Sequence, residues 1–475
     1  MIAHFIGRKK EWRKLEELKN SSRSEFVAVY GRRRVGKTVL IREVFQNAFT
    51  FQATATANVP TKLQLLNFYT ALENHRNGLG KNDLPTTWFE AFQQLIAYLE
   101  KSKEEKKVIF LDELPWFDTP KSYFVQSLEH FWNSWAAARN DIILVVCGSA
   151  ASWMINKLIN HKGGLHNRVT QRIHLQPFNL KETEALLKVK NKAITRYQVL
   201  QLYMVFGGVP FYLEMVSQKL SAVQNIENIC FAEDGALRTE FDNLFKALFS
   251  KAERHIAIVQ AIATKTKGLT REEIIEATGL SKGGGTTRIL EELEKSGFIR
   301  KYMPFQRKKR NSLYQLIDSY TLFYLRFIKN SNPYDQNNWV NAIDSPSYRA
   351  WSGYAFEQIC LYHLQQIKEA LSIGGVISHS SAWRSKTSKK GAQIDLVIDR
   401  RDQVINLCEM KFSISPFVIT KAYANQLQQK ISTFREETET KKAIYLTMIT
   451  TYGLKQNSYA VNLVQNNLTM EALFA

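Results

Sequence analysis

The most constraining feature of this chain is a glycine-containing segment near its N-terminus. Residues 31–38 read GRRRVGKT, which fits the pattern G-x-x-x-x-G-K-[ST]. The apolar run before it, 26–30, predicts a buried strand, and residues 39–45 after it predict a helix. A glycine-containing turn between a strand and a helix lets backbone N–H groups surround phosphate oxygens. The segment therefore predicts a phosphate-binding loop in an α/β domain.

The side chains of this loop predict a binding site for a nucleoside triphosphate. Lys37 is expected to meet the β- and γ-phosphates and to assist catalysis, and the Thr38 hydroxyl is expected to ligate Mg²⁺. The three loop arginines either bind phosphate or pair with acids elsewhere in the chain. A tight turn with an incidental lysine is the alternative interpretation. The predicted nucleotide-binding residues of the loop are Gly31, Arg32, Arg33, Arg34, Val35, Gly36, Lys37, Thr38 and Val39.

Two later apolar runs predict the remaining parts of an ATPase site. Residues 107–111 run directly into Asp112 and Glu113. Asp112 is expected to orient Mg²⁺, and Glu113 is expected to polarise the attacking water as general base. The run 142–147 ends in glycine and then Ser149, which is placed to sense the γ-phosphate. Each run alone could be an ordinary strand end, but together with the loop they predict ATP and Mg²⁺ as cofactors.

The charge of the chain constrains its partners. The formal net charge is +20 over 475 residues, with a pI near 9.6. Such a surface attracts phosphate backbones, with an affinity that falls steeply as salt rises. A strongly basic amphipathic helix with an aromatic apolar face, which would favour a membrane surface, is not evident in the sequence. We therefore expect DNA as a partner and no membrane association.

The compartment is predicted from three further observations. The sequence contains no run of eighteen or more apolar residues, so we expect no transmembrane helix. The first nine residues carry charges where a signal peptide would need an apolar core. The four cysteines are far apart in sequence and have no metal-binding spacing, which is typical of buried thiols in a reducing compartment. These features predict a cytoplasmic protein.

Six segments in the first 220 residues carry a family resemblance. They are FIGRKKEW (5–12), GRRRVGKT (31–38), FLDELPWF (110–117), VVCGSAASWM (145–154), LHNRVTQRIHLQPF (165–178) and GGVPFYLEM (207–215). Their order resembles that of the archaeal-type ATPase family, which belongs to the AAA+ and STAND-like P-loop NTPases. The resemblance implies that Phe5–Arg8, including Arg8, flanks the adenine and that Pro210 packs on the base. It also implies that Arg168 meets the γ-phosphate, in cis or across a subunit boundary, and the second case requires a homo-oligomer.

Each of these family-derived single-residue roles has a simpler alternative. Arg8 and Arg168 could form surface ion pairs, and the glycine pair 207–208 could end a helix. The nucleotide site as a whole is predicted by many residues, whereas each of these three roles depends on one.

The middle of the chain predicts a winged helix. Thr270 and Glu273 form a capping box, and Gly279 is expected to end that helix. A second helix over 286–297 and two strands, 298–302 and 313–316, around a basic tip at 307–310 complete the order helix, turn, helix and wing.

The charges of this segment bear on how it meets DNA. Glu291, Glu292 and Glu294 on the second helix would repel phosphate, whereas the wing tip is basic. We therefore expect a structural domain with non-specific DNA contact rather than a sequence-specific regulator. The polar segment 330–338 that follows predicts a linker.

The C-terminal part predicts a separate α/β unit with acidic residues. A helix over 353–367 carries Glu357, a strand over 393–399 carries Asp395, and a second strand over 404–411 carries Glu409 and Lys411. Residues two apart on a strand share one face, so Glu409 and Lys411 are expected together. Acids with a neighbouring lysine are the parts required for metal-assisted phosphodiester hydrolysis.

This set resembles the PD-(D/E)xK restriction-endonuclease-like superfamily, with isoleucine rather than the usual proline before Asp395. The resemblance implies that Asp395, Glu409 and Glu357 bind Mg²⁺ and that Lys411 positions or activates the attacking water. Gln426 is a candidate supporting residue on the next helix. The basic residues Arg384, Lys386, Lys389 and Lys390 suit a loop that faces DNA, or alternatively form a solvated surface loop.

The predicted fold class is α/β, with several domains in sequence. The predicted division is a P-loop parallel-sheet ATPase domain (1–182), a helical lid (183–244), a winged helix (245–329), a linker (330–347) and a restriction-endonuclease-like domain (348–475). The predicted function is an ATP-hydrolysing, DNA-associated protein whose nucleotide state controls the nuclease-like domain. The alternative is a STAND-like signalling switch whose C-terminal domain only binds nucleic acid or protein.

Overall fold

The computed structural model describes most of the chain, including the predicted catalytic and metal-binding residues and, apart from Phe5, the predicted nucleotide-binding residues. Phe5, the basic tip at 307–310 and the loop residues Lys386, Lys389 and Lys390 lie outside the described residues. The described ranges are 6–76, 83–160, 163–249, 251–266, 268–306, 312–332, 334–335, 337–385 and 392–475.

The chain divides into two compact units, and each is described by itself. The first comprises the residues up to 177 together with 242–252 and 291–297. The second comprises 178–241, 253–290 and 298–475.

Helices and strands alternate as far as residue 174 and again from residue 299, and between these points the described residues form helices without strands. The strands are β1 (Glu25–Tyr30), β2 (Phe51–Thr54), β3 (Lys107–Asp112), β4 (Ile142–Gly148), β5 (Gln171–His174), β6 (Ile299–Tyr302), β7 (Leu313–Leu316), β8 (Ser378–Arg384), β9 (Gln393–Arg400), β10 (Val404–Lys411), β11 (Ala443–Thr450) and β12 (Asn466–Thr469). The helices up to residue 263 are α1 (Lys9–Glu17), α2 (Lys37–Phe45), α3 (Thr61–Arg76), α4 (Trp88–Lys101), α5 (Phe124–Ser134), α6 (Ala151–Trp153), α7 (Leu180–Lys190), α8 (Arg196–Phe206), α9 (Pro210–Leu213), α10 (Ala222–Cys230), α11 (Glu240–Leu248) and α12 (Ala252–Ala263). The later helices are α13 (Arg271–Thr278), α14 (Gly284–Lys295), α15 (Ser319–Phe323), α16 (Asn338–Ala342), α17 (Pro346–Tyr362), α18 (Leu364–Ala370), α19 (Lys421–Thr438) and α20 (Ser458–Leu463). Within the ranges that the structure describes, none of these helices combines the length and apolarity needed to cross a bilayer.

The first unit contains a five-stranded sheet in the order β2-β3-β4-β1-β5, in which every neighbouring pair is parallel. The central strands are apolar on both faces because helices cover both sides of a parallel sheet. In β1, Phe26 and Ala28 belong to one hydrophobic cluster, and Val27 and Val29 belong to another. The predicted parallel α/β sheet is therefore confirmed for this part of the chain.

The helical middle of the chain has the local signals that the sequence predicted. Thr270 accepts a hydrogen bond from the Glu273 backbone N–H, and the Glu273 carboxylate accepts from Thr270 in return. Gly279 ends α13 in the left-handed conformation with φ 65°. Strands β6 and β7 then form an antiparallel hairpin. The predicted capping box and helix end are confirmed, whereas the winged-helix assignment stays a prediction.

The second unit contains a mixed sheet in the order β12-β11-β10-β9-β8. Strands β8, β9 and β10 are antiparallel neighbours, and β10, β11 and β12 are parallel neighbours. Helix α19 contributes Leu427 and Phe434 to the two hydrophobic clusters of this sheet. Strand β10 spans the predicted residues 404–411, and a second α/β region is therefore confirmed.

Two segments in this region contain helical residues that the sequence did not predict. The helix predicted over 353–367 is α17, which begins earlier, at Pro346, because Ser345 caps it. It is separated from α18 by His363. Part of the segment 330–347, predicted as a linker, forms α16, which buries Trp339 against Phe323 and Trp351, and the linker assignment itself stays a prediction. Burial of large aromatic rings stabilises this segment, although its sequence is polar.

His363 joins the break between α17 and α18 to the first turn of α7. Its Nδ1 lies 2.8 Å from the Ile359 carbonyl oxygen, and its Nε2 lies 2.9 Å from the Leu180 backbone nitrogen. A neutral imidazole satisfies both groups, because Nδ1–H donates while Nε2 accepts from the Leu180 N–H. Burial lowers the pKa of His363 to about 4.

This contact predicts a loss of stability in mild acid. The pKa of histidine in an unfolded chain is about 6.5, so folding favours the neutral ring, and the stabilisation is present above that pH and is lost as pH falls toward 4. Between about pH 7.5 and 5, the free energy of unfolding should fall by about 2 kcal/mol more in the wild type than in His363→Gln. Denaturant unfolding at both pH values measures the difference. His379→Gln, at an exposed histidine, is the matched control, and equal pH dependence in all three proteins would contradict the assignment.

Candidate functional site

The parallel sheet of the first unit brings three predicted segments to one edge. The carboxyl ends of parallel strands meet at the same edge of a sheet, which is where ligands bind in open α/β folds. Strand β4 lies between β1 and β3. The loop after β1, the acids at the end of β3 and the serine after β4 are therefore neighbours, although more than 100 residues separate the first from the last.

Glycine is required at two positions of the loop for different physical reasons. Gly31 has φ 151°, and a Cβ there would lie 2.2 Å from the Leu175 carbonyl oxygen, so a larger residue would displace backbone. Gly36 caps the start of α2 with φ 88°, a conformation that other residues rarely adopt. Helix α2 then begins at Lys37, so its N-terminal N–H groups and dipole are directed into the loop.

Lys37 is buried at the centre of this edge. Its Nζ donates to the carbonyl oxygens of Gly31 and Arg32 at 3.2 and 3.0 Å and to the Ser149 Oγ at 3.0 Å. The ammonium is therefore held inside the curve of the loop, where the predicted phosphates would bind.

Ser149 connects Lys37 to the predicted general base. Its hydroxyl donates to Glu113 Oε1 at 2.7 Å, and its backbone N–H donates to Glu113 Oε2 at 3.2 Å. Glu113 adopts the left-handed conformation, φ 49°, directly after β3, which turns its carboxylate toward the end of β4. The three predicted residues thus form one hydrogen-bonded chain across the sheet edge.

Thr38 and Asp112 provide the oxygen atoms that a magnesium ion prefers. The Thr38 hydroxyl donates to Asp112 Oδ2 at 3.0 Å, and the other oxygen of Asp112 accepts from the Glu113 backbone N–H at 2.9 Å. Mg²⁺ in nucleotide sites is bound through one or two side-chain oxygens with water and phosphate completing the shell. These two residues therefore fit the predicted ion in chemistry and position.

The other predicted nucleotide-binding residues differ in exposure. Arg32 and Val35 are buried, Arg33 and Arg34 are half-buried, and Val39 is exposed. Arg8 is buried and donates to the Val35 carbonyl oxygen at 3.2 Å, which ties the segment before α1 to the loop.

The two remaining family-derived residues lie in different compact units. Arg168 is an exposed residue of the first unit, and Pro210 begins α9 in the second unit. Gly207 caps the end of α8 with φ 61°, as the simpler interpretation of the glycine pair proposed. The roles of Arg168 and Pro210 stay predictions.

The second unit brings the C-terminal acids together from three elements. Glu357 lies on α17, Asp395 on β9, and Glu409 with Lys411 on β10. Asp395 Oδ2 accepts from the Met410 backbone N–H at 3.4 Å, and the Lys411 Nζ lies 3.9 Å from Glu409 Oε2. Asp395 and Glu357 line the same cavity.

Burial and mutual repulsion alter the protonation of these acids. Burial, with Asp395 as the next cause, raises the pKa of Glu357 to about 8, although Lys411 opposes the shift. Burial and Asp395 also raise the pKa of Glu409, against the neighbouring Lys430 and Lys411. The acids therefore lie in a water-poor site where they compete for negative charge, an arrangement that is common at functional sites.

Two residues of α19 that the sequence patterns did not predict contact this site. The Lys430 Nζ donates to Glu409 Oε1 at 2.6 Å, and the Tyr423 hydroxyl donates to Glu409 Oε2 at 3.3 Å. They are seven residues apart and so share a helix face, which the helical period could have indicated. Gln426, the residue proposed instead, is exposed on another face of the same helix.

The arrangement of the acids limits metal binding at this second site. Within the ranges given above, no group of three or more His, Cys, Asp or Glu side chains is gathered so that it could hold a metal ion. Glu409 is paired with Lys430 instead. The carboxylates fit Mg²⁺ in chemical type, but the observed arrangement does not fit a three-carboxylate centre.

Comparisons with known proteins agree with the geometry of the first unit. Residues 5–216 match the family described as an ATPase domain predominantly from Archaea. The uncharacterized protein MJECL04 of Methanocaldococcus jannaschii is 25% identical over 421 residues, which cover 86% of this chain and 87% of that protein. The uncharacterized ATP-binding protein MJ0423 of the same organism is 44% identical over 46 residues, which cover 10% of this chain and 78% of that protein.

A solved structure supports the fold. The Walker-type ATPase PABY2304 of Pyrococcus abyssi superposes with a TM-score of 0.52 at 16% identity, covering 68% of this chain and 96% of that one. At this identity the likeness concerns the fold alone. The family match and the joined Lys37, Ser149 and Glu113 lead to one conclusion: this chain carries a P-loop ATPase domain of the family found predominantly in Archaea.

Proposed function

We propose that this chain is an ATP-hydrolysing, DNA-associated protein whose nucleotide state controls a nuclease-like C-terminal domain. The observation that carries the first part is the hydrogen-bonded chain from Lys37 through Ser149 to Glu113. The second part is supported by the acids and lysines gathered on α17, β9, β10 and α19.

The residues of the first site each have a defined task in this proposal. Lys37 binds the β- and γ-phosphates in place of its bonds to the loop carbonyls, and Glu113 accepts the proton of the attacking water. Thr38 and Asp112 would hold Mg²⁺, which neutralises charge on the phosphates. Since the Ser149 hydroxyl bridges Lys37 and Glu113, phosphate binding at the lysine also changes the surroundings of the base.

Arg168 gives the proposal an intermolecular extension. Its exposed side chain, on the segment between β4 and β5, could reach the γ-phosphate of a neighbouring copy. A homo-oligomer is therefore part of the proposed active state.

DNA association is supported by charge and by exposed cations. The formal net charge is +20. Arg384, at the end of β8, is exposed in the same unit as the acidic site. Exposed arginines and lysines bind phosphate backbones without sequence preference, and salt weakens that binding. The exposed Arg384 therefore supports a DNA-facing surface on the second unit.

The nuclease-like assignment is supported by Glu357, Asp395 and the Glu409–Lys411 pair. Cleavage would require Glu409 to leave the Lys430 ammonium, which holds one of its oxygens at 2.6 Å. Lys411, partly exposed beside Glu409, would position or activate water. In this proposal, ATP would control cleavage by releasing Glu409 from Lys430.

One observation favours a second candidate. The Lys430–Glu409 pair, together with the lack of a three-carboxylate group in the residues described, favours a C-terminal domain that binds without cleaving. In that case the protein is a STAND-like ATP-driven switch whose C-terminal domain binds nucleic acid or a protein partner.

A cleavage assay separates the two candidates. We expect plasmid or branched DNA to be cut in Mg²⁺ or Mn²⁺, faster with ATP, and Lys411→Ala to slow cutting by about 100-fold because a positioned acid–base group contributes that much. Lys421→Ala, at an exposed lysine that begins α19, is the matched control.

The outcomes of this assay have different consequences. Cutting that survives in Lys411→Ala would contradict the assigned site. No cutting under any condition, with ATP hydrolysis intact, would favour the switch that only binds.

A further inference from the structure

A cavity of about 160 Å³ lies in the second unit beside the acidic site. Its walls come from the β6–β7 hairpin, α17 and the β8–β9 hairpin. Glu357 and Asp395 form one part of the wall. The rest includes the polar residues Arg300, Gln358, Ser380 and Ser381 beside apolar residues of α17, α18 and β9.

Arg300 on β6 is a cation without an acidic partner. Its Nη2 donates to Gln315 Oε1 at 2.6 Å and to Gln358 Oε1 at 3.2 Å, and both acceptors are uncharged amides. Its Nε is buried without a hydrogen-bond partner, and in the part of the chain that the structure describes no carboxylate forms an ion pair with it. Burial lowers the pKa of this guanidinium. A buried cation is costly unless an anion compensates it.

A β-bulge on β9 lies in the wall of the cavity. Ser381 pairs with Val397 and Trp383 pairs with Ile394, so two residues of β9 oppose Ala382 alone. Such a bulge changes the direction of side chains next to functional sites. The bulge residues Asp395 and Leu396 both line the cavity, although neighbours on a regular strand point to opposite faces. Ser380 and Ser381 of the facing strand β8 line it as well.

The unpaired polar groups in the cavity wall are all able to donate hydrogen bonds. The Ser380 and Ser381 hydroxyls, the Gln358 Nε2 and the Arg300 Nε are buried and lack partners within the described residues. Buried polar groups are normally satisfied, so this set indicates a ligand. The ligand must offer several acceptor oxygens and negative charge, and a phosphate group offers both.

We propose that this cavity binds a phosphate group, held by the Arg300 guanidinium, the Gln358 amide and the hydroxyls of Ser380 and Ser381. Glu357 and Asp395 lie in the same wall and disfavour an anion at their end, so the phosphate binds at the Arg300 end. That the phosphate belongs to a nucleic-acid strand depends on the proposed function. The affinity of the cavity for phosphate does not depend on the proposed function.

Titration calorimetry with inorganic phosphate on the full chain tests the cavity. The Lys37→Ala background removes phosphate binding at the nucleotide loop. In that background, Arg300→Gln should weaken phosphate binding at least about tenfold, because a charged hydrogen bond is lost. Arg349→Gln, at an exposed arginine on α17, should leave it unchanged. Ser380→Ala with Ser381→Ala should weaken it several-fold and serves if Arg300→Gln does not fold.

Two results would overturn the proposal. In the first, both Arg300→Gln and the double serine variant bind phosphate as tightly as the Lys37→Ala parent does. The other is no phosphate binding by the Lys37→Ala parent.

The source of the phosphate is distinguished by oligonucleotides with a 5′-phosphate or a 5′-hydroxyl. A preference for the phosphorylated end that disappears in Arg300→Gln would identify a strand end, and equal affinity would identify free phosphate. Phosphate binding without any DNA cleavage would leave this cavity established and the proposed nuclease function refuted.

Discussion

Replacing Lys37 with alanine is expected to weaken ATP binding by about 100-fold or more and to abolish ATP hydrolysis. The ammonium is buried within the loop and donates hydrogen bonds to two loop carbonyls and to Ser149. Alanine therefore leaves this position without a cation. A charge-assisted hydrogen bond to phosphate contributes roughly 1.5–3 kcal/mol, and Lys37 is expected to make more than one. Fluorescent-nucleotide titration and a phosphate-release assay measure both effects.

The control for this variant lies on the same helix. Arg42 is exposed on α2, so Arg42→Ala removes the same charge without altering the loop. Nucleotide affinity within twofold of wild type in the alanine variant of Lys37 would refute the site. Circular dichroism establishes that both variants fold, since Lys37 also bonds the loop backbone.

Glu113→Gln is expected to retain nucleotide affinity and to reduce the hydrolysis rate by about 10²–10⁴-fold. Glutamine keeps one oxygen that can accept from the Ser149 backbone N–H, and its amide NH₂ can donate to the Ser149 hydroxyl oxygen, so the local structure should persist. It cannot take a proton from water, and a positioned general base contributes a factor of this size. Single-turnover hydrolysis with saturating ATP isolates the chemical step.

An exposed carboxylate provides the comparison. Glu105 precedes β3 and is exposed, so Glu105→Gln changes the same chemical group away from the sheet edge. Hydrolysis at the wild-type rate in Glu113→Gln would exclude the residue as base. Lost nucleotide affinity would instead indicate that Glu113 acts through Ser149 on Lys37.

The local signals in the sequence were sufficient for the strands and helices around the nucleotide site. Residues 26–30 are apolar throughout because a central parallel strand is buried on both faces. Gly36 followed by Lys37 specifies a helix start. The left-handed conformation at Gly36 and the helical period of the residues after it both depend on neighbouring residues in the sequence. Strand β10 was likewise predicted to the residue, because its apolar residues Val404, Ile405 and Leu407 follow a polar turn directly.

The sequence could not predict what depends on distant neighbours. His363 lies at the break between α17 and α18, and its ring accepts a hydrogen bond from the Leu180 N–H, 183 residues away. Trp339 lies in a polar segment but is buried, because aromatic rings from three other elements surround it. No window of sequence around either residue contains its partner.

The same division applies to the candidate sites. The sequence by itself determined the phosphate loop, the acids after β3 and the acid–lysine pair on β10, because each is a short motif whose spacing sets its geometry. Only the tertiary structure decided that Lys430 holds Glu409 and that Arg300 meets Gln358 beside the C-terminal acids. Those contacts join side chains from separate elements, and their energies depend on burial and distance, which the folded chain alone provides.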